Sequence, residues 1–459
     1  MRIVVVGAGK MGYSIAKLLA DGSYDVVVIE QHEERRQVVK DSLDVLTIQG
    51  NGCSPEILDM VEVRDADVFI AVTDSDEVNL VACRMAKAFG AKHTVARVRN
   101  EEYTANEPML LSKTLGVDLN LNPERITANE ISHILMTPAA LDVDDFADGK
   151  VRMFGASLPA DFKFLGLPLK NVRLPGGILI AMIFRKHKMI IPHGDDILEP
   201  GDNVYFVGSQ EVIKNFEVNF EARYDKLERV LLIGAGRAGR MLAQMLEKQG
   251  VFVKVIEKDK ERCRMLSEQL NNGLVLCGDG TDIDLLTEEG ISEADCVVCL
   301  TDDDKLNLLL ALLAKHLGAK KTIVRVARNE YVDLMAKVGV DIALSARLLS
   351  AAEVMRFVRQ GGVVSVALLE GAKAEALELK VQPGCKVDGK TLIRAGLPRD
   401  CLVCGIVHQG EASVPNGQSV LNSGDRVIVF AQTEVVQDVM DMFAGKRKHN
   451  RYHRKPVCC

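Results

Sequence analysis

The chain has 459 residues, 47% hydrophobic and 26% charged, and its 57 Lys and Arg against 64 Asp and Glu leave a formal net charge of −7. That balance belongs to a multidomain globular protein and excludes a disordered chain or a collagen-like fibre; the acidic surplus, no Trp and 5% aromatics weigh against nucleic-acid binding. No apolar run approaches the ~18 residues of a membrane-spanning helix, and eleven scattered cysteines, an odd number, fit reduced thiols in a cytoplasmic protein better than a disulfide framework.

A strand begins at Arg2 with no signal-peptide pattern, so the sequence is expected to carry no export signal. Ile3 to Val6, Val26 to Ile29, Val68 to Val72 and Thr94 to Val98 are short β-branched runs, apolar almost throughout. Such strands suit a parallel sheet covered on both faces. Between them, Tyr13 to Leu19, Glu34 to Leu43 and Asn79 to Phe89 carry helical spacing, and the alternation predicts a doubly wound βαβ fold. Pro123 to Leu135 has helical spacing with Pro in the first turn, and predicts a crossover helix. From Lys150 to Gly208, Gly, Pro and Asp recur at short intervals around brief strands, Ile178 to Phe184 and Asn203 to Val207, which predicts a small α+β domain with an antiparallel sheet.

The second half then repeats the first. RIVVVGAGKMG at Arg2 to Gly12 returns as RVLLIGAGRAG at Arg229 to Gly239, and the VVVIE run ending at Glu30 returns at the same offset as VKVIE ending at Glu257. Gly50-Asn51-Gly52 returns as Gly278-Asp279-Gly280, Thr73-Asp74 with Asn79 as Thr301-Asp302 with Asn307, and Arg97-Val98 as Arg325-Val326. In the small module Leu174-Pro175, Pro192-His193-Gly194 and Gly201-Asp202 return as Leu397-Pro398, Pro415-Asn416-Gly417 and Gly424-Asp425. Arg347 to Val358 is the second crossover helix. The expected fold is therefore α/β: two Rossmann-like doubly wound parallel-sheet domains, each followed by a small α+β domain. The boundaries are 1–122, 123–142 (helix and linker), 143–225, 226–345, 346–362 (helix and linker), 363–445, and a basic tail at 446–459.

Gly7, Gly9 and Gly12, like Gly234, Gly236 and Gly239, follow a strand and open a helix. In such a loop the first glycine makes the tight turn, the second lets backbone approach a pyrophosphate, and the third lets helix and strand pack closely. The helix N-terminus offers free N–H groups to phosphate. Glu30 and Glu257 each end the strand that follows the loop, equally far beyond Gly12 and Gly239, a spacing that fits an acid on a ribose hydroxyl and disfavours a 2′-phosphate. NAD or NADH fits, and ATP or ADP uses the same features; the alternative is glycines that serve packing alone. Lys10 and Arg237 stand inside the loops, as phosphate contacts or as solvated helix-start cations. Asn51 and Asp279 are adenosine contacts or simple turn residues. Thr73 and Thr301 are strand-end ligand candidates, whereas Asp74 or Asp76 and Asp302 or Asp304 are explained by helix capping. Arg97 and Arg325 lie in apolar strands and require a phosphate or a buried carboxylate as partner.

These residues, in this tandem order, resemble the RCK family of potassium-transport regulators in its TrkA-type form, over about 1–445. The resemblance implies Rossmann-like modules that bind NAD or NADH, and sometimes ATP or ADP, and small modules of the RCK C-terminal type. Carried over residue by residue, it implies one nucleotide site at Gly7, Gly9, Lys10, Met11, Gly12, Glu30, Asn51, Thr73 and Arg97. It implies another at Gly234, Gly236, Arg237, Ala238, Gly239, Glu257, Asp279, Thr301 and Arg325. It further implies a cytosolic homo-oligomeric ring, peripheral to the plasma membrane through its partner, that gates a Trk-type membrane potassium-translocating subunit without catalysis. The crossover helices would carry contacts between subunits. Some relatives hold a divalent cation on a Glu after the sheet; here Glu124 has Arg347 as its repeat partner, and no metal is expected.

Other features are discounted. Cys296 and Cys299 fall on one strand, where positions three apart face opposite sides. Cys401 and Cys404 have no matching second pair for zinc. The tail Lys446 to Lys455 holds six Lys or Arg, a solvated segment or a contact for an anionic surface, and Cys458-Cys459 fits no lipidation pattern. A dehydrogenase would need a proton-transfer group beside the cofactor, yet His193 has Asn416 as its repeat partner. A redox-sensing transcription factor would need a basic recognition helix.

Overall fold

The β-branched runs form the strands that their pattern demands, and the computed structural model describes residues 1–22, 24–103, 110–136, 142–185, 188–221, 227–359, 365–369 and 374–445. The first repeat runs β1 (Arg2–Val6), α1 (Lys10–Asp21), β2 (Asp25–Glu30), α2 (Glu33–Ser42), β3 (Leu46–Gln49), α3 (Pro55–Met60), β4 (Val68–Ala71), α4 (Asp76–Phe89), β5 (His93–Arg97) and β6 (Leu119–Leu121), then the crossover helix α5 (Pro123–Met136). The first small module holds β7 (Asp142–Phe146), β8 (Val151–Ser157), β9 (Leu179–Arg185), β10 (Lys188–Ile190), β11 (Asn203–Ser209) and α6 (Gln210–Glu221). The second repeat runs β12 (Arg229–Ile233), α7 (Arg237–Lys248), β13 (Phe252–Glu257), α8 (Lys260–Ser267), β14 (Leu274–Cys277), α9 (Ile283–Glu288), β15 (Cys296–Cys299), α10 (Asp304–His316), β16 (Thr322–Val326), α11 (Glu330–Lys337), β17 (Ile342–Ser345) and the crossover helix α12 (Ala346–Arg359). The last module holds β18 (Ser365–Leu369), β19 (Ala374–Lys380), β20 (Lys390–Thr391), α13 (Leu392–Ala395), β21 (Cys401–His408), β22 (Glu411–Ser413), β23 (Val420–Leu421), β24 (Arg426–Gln432) and α14 (Val436–Phe443). The tail at 446–459 lies outside the described residues.

Both large sheets are doubly wound: β3-β2-β1-β4-β5-β6 and β14-β13-β12-β15-β16-β17. Their paired strands are parallel. The order reverses between β1 and β4 and between β12 and β15, so each sheet has a crevice beyond its strand ends at that point. Along β1, Ile3 and Val5 enter one core and Val4 and Val6 the other, because successive side chains point to opposite faces. β6 and β17 are sixth strands that the sequence reading passed over, since such short strands carry too little pattern.

The chain folds into two compact units, Met1–Pro138 with Asp225–Val358 and Ala139–Tyr224 with Arg359–Cys459. In the first unit the crossover helices are exchanged. Ala128, Ile131 and Leu135 of α5 lie in the core of the second repeat with Val230, Leu232 and Leu242. Ala351, Val354, Met355 and Val358 of α12 lie in the core of the first with Ile3, Val5 and Ile15. Each of the larger of these side chains, Ile131, Leu135, Val354, Met355 and Val358, contributes about 1.5–3 kcal/mol by leaving water, so these contacts join the repeats of one chain. Much of the apolar face of each crossover helix is thus covered within one chain, by the opposite repeat.

In the second unit two five-stranded antiparallel sheets, β10-β9-β11-β8-β7 and β18-β19-β24-β21-β22, share a core that includes Met153, Met182, Tyr205, Ala376, Ile428 and Phe430. The recurring Gly-Asp marks a turn whose carboxylate is buried. Asp202 accepts from the Arg185 guanidinium at 2.7 Å and from the Glu199 amide at 2.8 Å. Asp425 instead meets His408 Nδ1 at 2.6 Å and the Asn422 amide at 2.8 Å.

Candidate functional site

The three glycines of each loop serve different physical ends. Gly7 and Gly234 have φ of +98° and +106°, the left-handed region that side chains rarely adopt. A Cβ on Gly12 would lie 1.8 Å from the Gly7 carbonyl oxygen, and one on Gly239 would lie 2.1 Å from that of Gly234, so the helix could not sit so close to the strand end. Gly9 and Gly236 differ. Their φ values of −64° and −61° suit any residue, and a Cβ there would meet nothing within 4 Å. Neither conformation nor internal packing asks for glycine at these two positions.

The strand-end acids are clamped. Glu30 is 5% exposed; its Oε2 accepts from the Ala8 amide at 2.6 Å and its Oε1 from the His32 amide at 2.9 Å. Glu257 repeats the pattern with the amides of Ala235 at 2.6 Å and Asp259 at 2.9 Å. Each carboxylate therefore fixes its glycine loop, and a carboxylate oxygen has lone pairs left for a further donor. Asn51 accepts from the Cys53 amide at 2.9 Å, and Asp279 from the amide and hydroxyl of Thr281 at 2.9 and 2.8 Å, which hold its pKa below the ordinary range. Turn chemistry thus accounts for both residues, which also line the clefts.

Thr73 and Thr301 are held by fully buried asparagines. Asn79 Oδ1 accepts from the Thr73 amide and hydroxyl at 2.8 and 2.7 Å, while its Nδ2 donates to the Thr73 and Arg97 carbonyls at 3.2 and 2.9 Å. Asn307 makes the same four bonds to Thr301 and Arg325. The helix N-caps are Ser75 and Asp303, not the aspartates on either side. Asp76 and Asp304 instead accept amides of the segment after the fifth strand: Arg99 and Asn100 for the first, Ala327 and Arg328 for the second.

Among the described residues, the carboxylates paired with the two strand arginines are exposed ones. Arg97 Nη1 donates to the Thr73 carbonyl at 3.0 Å and lies 3.5 Å from the exposed Asp74 carboxylate. Burial, then neighbouring Arg99, lowers its pKa against the pull of Glu124, Asp74 and Asp76. Arg325 pairs with exposed Asp302 at 3.2 Å. Arg97 Nε stays buried with no partner among the described residues, a donor that a ligand phosphate would satisfy.

Each loop stands between two cavities. At the first, a cavity of about 240 Å³ gathers Gly7, Gly9, Glu30, Asn51 and Thr73 at the strand ends. On the other side of Gly9 a cavity of about 670 Å³ is lined by Lys10, Tyr13 and Arg35 together with Asn329, Glu330 and Arg347 of the second repeat. At the second loop, about 470 Å³ gathers Gly234, Gly236, Glu257, Asp279 and Thr301. Across Gly236, about 410 Å³ is lined by Arg237, Ala238, Arg240, Arg262 and Arg325 together with Arg99 and Glu124 of the first repeat. Each loop is thus completed by the other repeat, through the start of the exchanged crossover helix. The strand-end cavities recur; the shared ones do not, because Glu124 answers Arg347. Arginines outnumber acids in the second shared cavity, which suits an anion better than a bare metal cation, and no metal-holding cluster occurs among the described residues.

Met11, Gly12, Arg97 and Gly239 are not part of any cavity lining described above; Met11 packs on the core. Arg35 and Arg262 each line the cavities on both sides of their loop and were missed by the sequence reading, although they recur at the same offset as the glycines. Arg99, Asn329 and Arg347 had no such signal, because they reach the loops from the opposite repeat. Cys296 and Cys299 enter opposite cores, as do Cys401 and Cys404, so neither pair converges.

The TrkA-N domain model matches residues 3–123 and 230–346, and the TrkA-C domain model matches 153–221 and 376–444. The chain is similar to Trk system potassium uptake protein TrkA homolog 1 of Methanosarcina mazei, 39% identical over 451 residues that cover 96% of this chain and 100% of that protein. It is also similar to Trk system potassium uptake protein TrkA of Vibrio alginolyticus, 32% identical over 452 residues covering 96% and 98% of the two chains. In fold it is similar to the GsuK channel bound to NAD, with a TM-score of 0.63 at 19% identity over 96% of this chain and 78% of that one. No helix among the described residues is long and apolar enough to cross a membrane.

Proposed function

The chain belongs to the TrkA family of potassium uptake proteins, and from that premise we propose that it is a nucleotide-sensing regulatory subunit that gates a separate membrane potassium-translocating subunit. The observation that carries this reading is the completion of each glycine loop by the opposite repeat. A ligand seated on Gly9 or Gly236 touches both halves of the first unit, so its binding free energy depends on how the halves are set. Only such a difference between states can shift a conformational equilibrium. A ratio of about 100-fold in affinity between two states supplies ~2.7 kcal/mol per site, and several sites in a homo-oligomeric ring add.

The ligand is NAD or NADH, or ATP or ADP in the same clefts. Gly9 and Gly236 leave the helix-start amides open to phosphate, and Glu30 and Glu257 set a buried carboxylate where a 2′-phosphate would be repelled. Lys10 and Arg237 face the shared cavities, where phosphate charge would lie. The dehydrogenase reading finds less support. His32 lines the first strand-end cavity, but Asp259 stands at its repeat position, so no histidine is common to the linings of the two clefts.

Calorimetric titration of the full chain with NAD, NADH, ATP and ADP, beside an NADH-consumption assay, tests the proposal. Saturable binding without turnover is expected, with potassium flux through the co-purified membrane subunit responding to the ligand. Steady oxidation of NADH, or no binding of any of the four, would overturn it.

A further inference from the structure

The second cleft carries two cysteines at positions where the first has none, and both stand beside the end of β13. Cys263 of α8 is 8% exposed and its Sγ donates to the Glu257 carbonyl oxygen at 3.1 Å. The same oxygen accepts from the amide of Gly278, the residue after Cys277, at 2.9 Å. Cys277 is the register partner of Glu257 across β13 and β14, it is exposed, and its side chain adjoins that of Cys263. In the first repeat these positions hold Arg36 and Gln49.

The pair sits on the cleft itself. Arg262, next to Cys263, lines both the strand-end cavity and the shared cavity, and Gly278 and Asp279, which follow Cys277, line the former. Glu257, which accepts from the Cys263 thiol and faces Cys277 in register, holds the glycine loop through its carboxylate.

We propose that Cys263 and Cys277 form a reversible disulfide that weakens ligand binding at the second cleft and leaves the first untouched. The order of events follows from exposure. The Cys277 thiolate attacks one sulfur of a low-molecular-weight disulfide; that S–S bond breaks, a small thiolate leaves, and a mixed disulfide remains on Cys277. Cys263 then loses its proton to water, its sulfur attacks the Cys277 sulfur, and the second small thiolate leaves. Two protein thiols are oxidised by two electrons, and the small disulfide is reduced to two thiols. Burial and the adjacent Cys277 thiol push the Cys263 thiol up to about 11, so it serves as the resolving partner and not as the first nucleophile. A disulfide holds its Cα atoms about 4.4–6.8 Å apart. Closing it takes the S–H donor from the Glu257 carbonyl and ties α8, which carries Arg262 on the cleft, to the strand end that leads into the Gly278 turn.

The effect on binding rests on the nucleotide reading above, whereas the disulfide does not. The full chain carrying Gly9→Val, so that only the second cleft is read, is equilibrated with glutathione disulfide or with reduced glutathione. Peptide mapping should find Cys263 joined to Cys277 with the loss of two hydrogens, reversed by reductant. Calorimetry with NADH and ADP should find binding at least fivefold weaker in the oxidised chain, and Cys263→Ser or Cys277→Ser should abolish the difference. Glutathione left on Cys277 with Cys263 free, or a cross-linked chain that binds as tightly as the reduced one, would overturn the proposal. A reduced chain that binds neither ligand while the cross-link forms would mean that the nucleotide reading had failed and the thiol chemistry had not.

Discussion

Alanine at the second and third glycines of one loop should have opposite effects. At Gly239 a Cβ would lie 2.1 Å from the Gly234 carbonyl oxygen, well inside ordinary contact, and at Gly12 the gap is 1.8 Å. The start of α7 or α1 would have to move off its sheet, at the ~1–3 kcal/mol typical of overpacking or above it. At Gly236 and Gly9 the new methyl meets nothing within 4 Å and φ needs no change. Both are N-caps, so the protein alone should lose under ~1 kcal/mol, the difference between glycine and alanine at that position. The methyl would stand where backbone meets phosphate, and a loss of affinity of about 100-fold, ~2.7 kcal/mol, is expected. Chemical denaturation and calorimetric titration of G236A and G239A, each in a G9V background, read the two effects separately. If G236A lowers stability as much as G239A, or binds nucleotide as tightly as the parent, the division of labour argued for the loop is wrong.

Two further outcomes test the architecture. Ile131→Ala removes a fully buried side chain of the first crossover helix and should cost about 2–5 kcal/mol; hydrogen exchange should speed up in β12 and β13 of the second repeat more than in β1 and β2, whereas the reverse pattern would contradict the exchange of helices. Asp67 and Asp295 have lowered pKa values: burial acts to raise them, but Lys92 with the Arg2 amide, and Lys320 with the Glu228 and Arg229 amides, outweigh it. A depressed carboxylate stabilises the fold fully above its unfolded pKa of ~3.9 and loses that contribution as pH falls through the folded value; denaturation midpoints should therefore drop below about pH 4, and less so in D67N/D295N, a flattening whose absence would remove these pairs from the account.

The sequence alone determined whatever is dictated within a few residues of itself. The β-branched runs, the helical spacings and the glycine loops are local requirements of backbone and pattern, and their recurrence in the same order in the second half turned single weak signals into an architecture. The strand-end acids and Gly7, Gly9, Asn51 and Thr73, with their second copies, were legible because a parallel sheet brings successive strand ends to one edge. What Glu30 and Asn79 hold was not legible, since their partners lie on other elements of the sheet with no periodic relation to them. Arg347 beside Gly9, Glu124 beside Arg237, and the exchange of crossover helices were decided only by tertiary packing. An amphipathic helix announces that it will bury a face, but two cores built from homologous strands offer it similar apolar surfaces, and only the folded chain shows which one it covers.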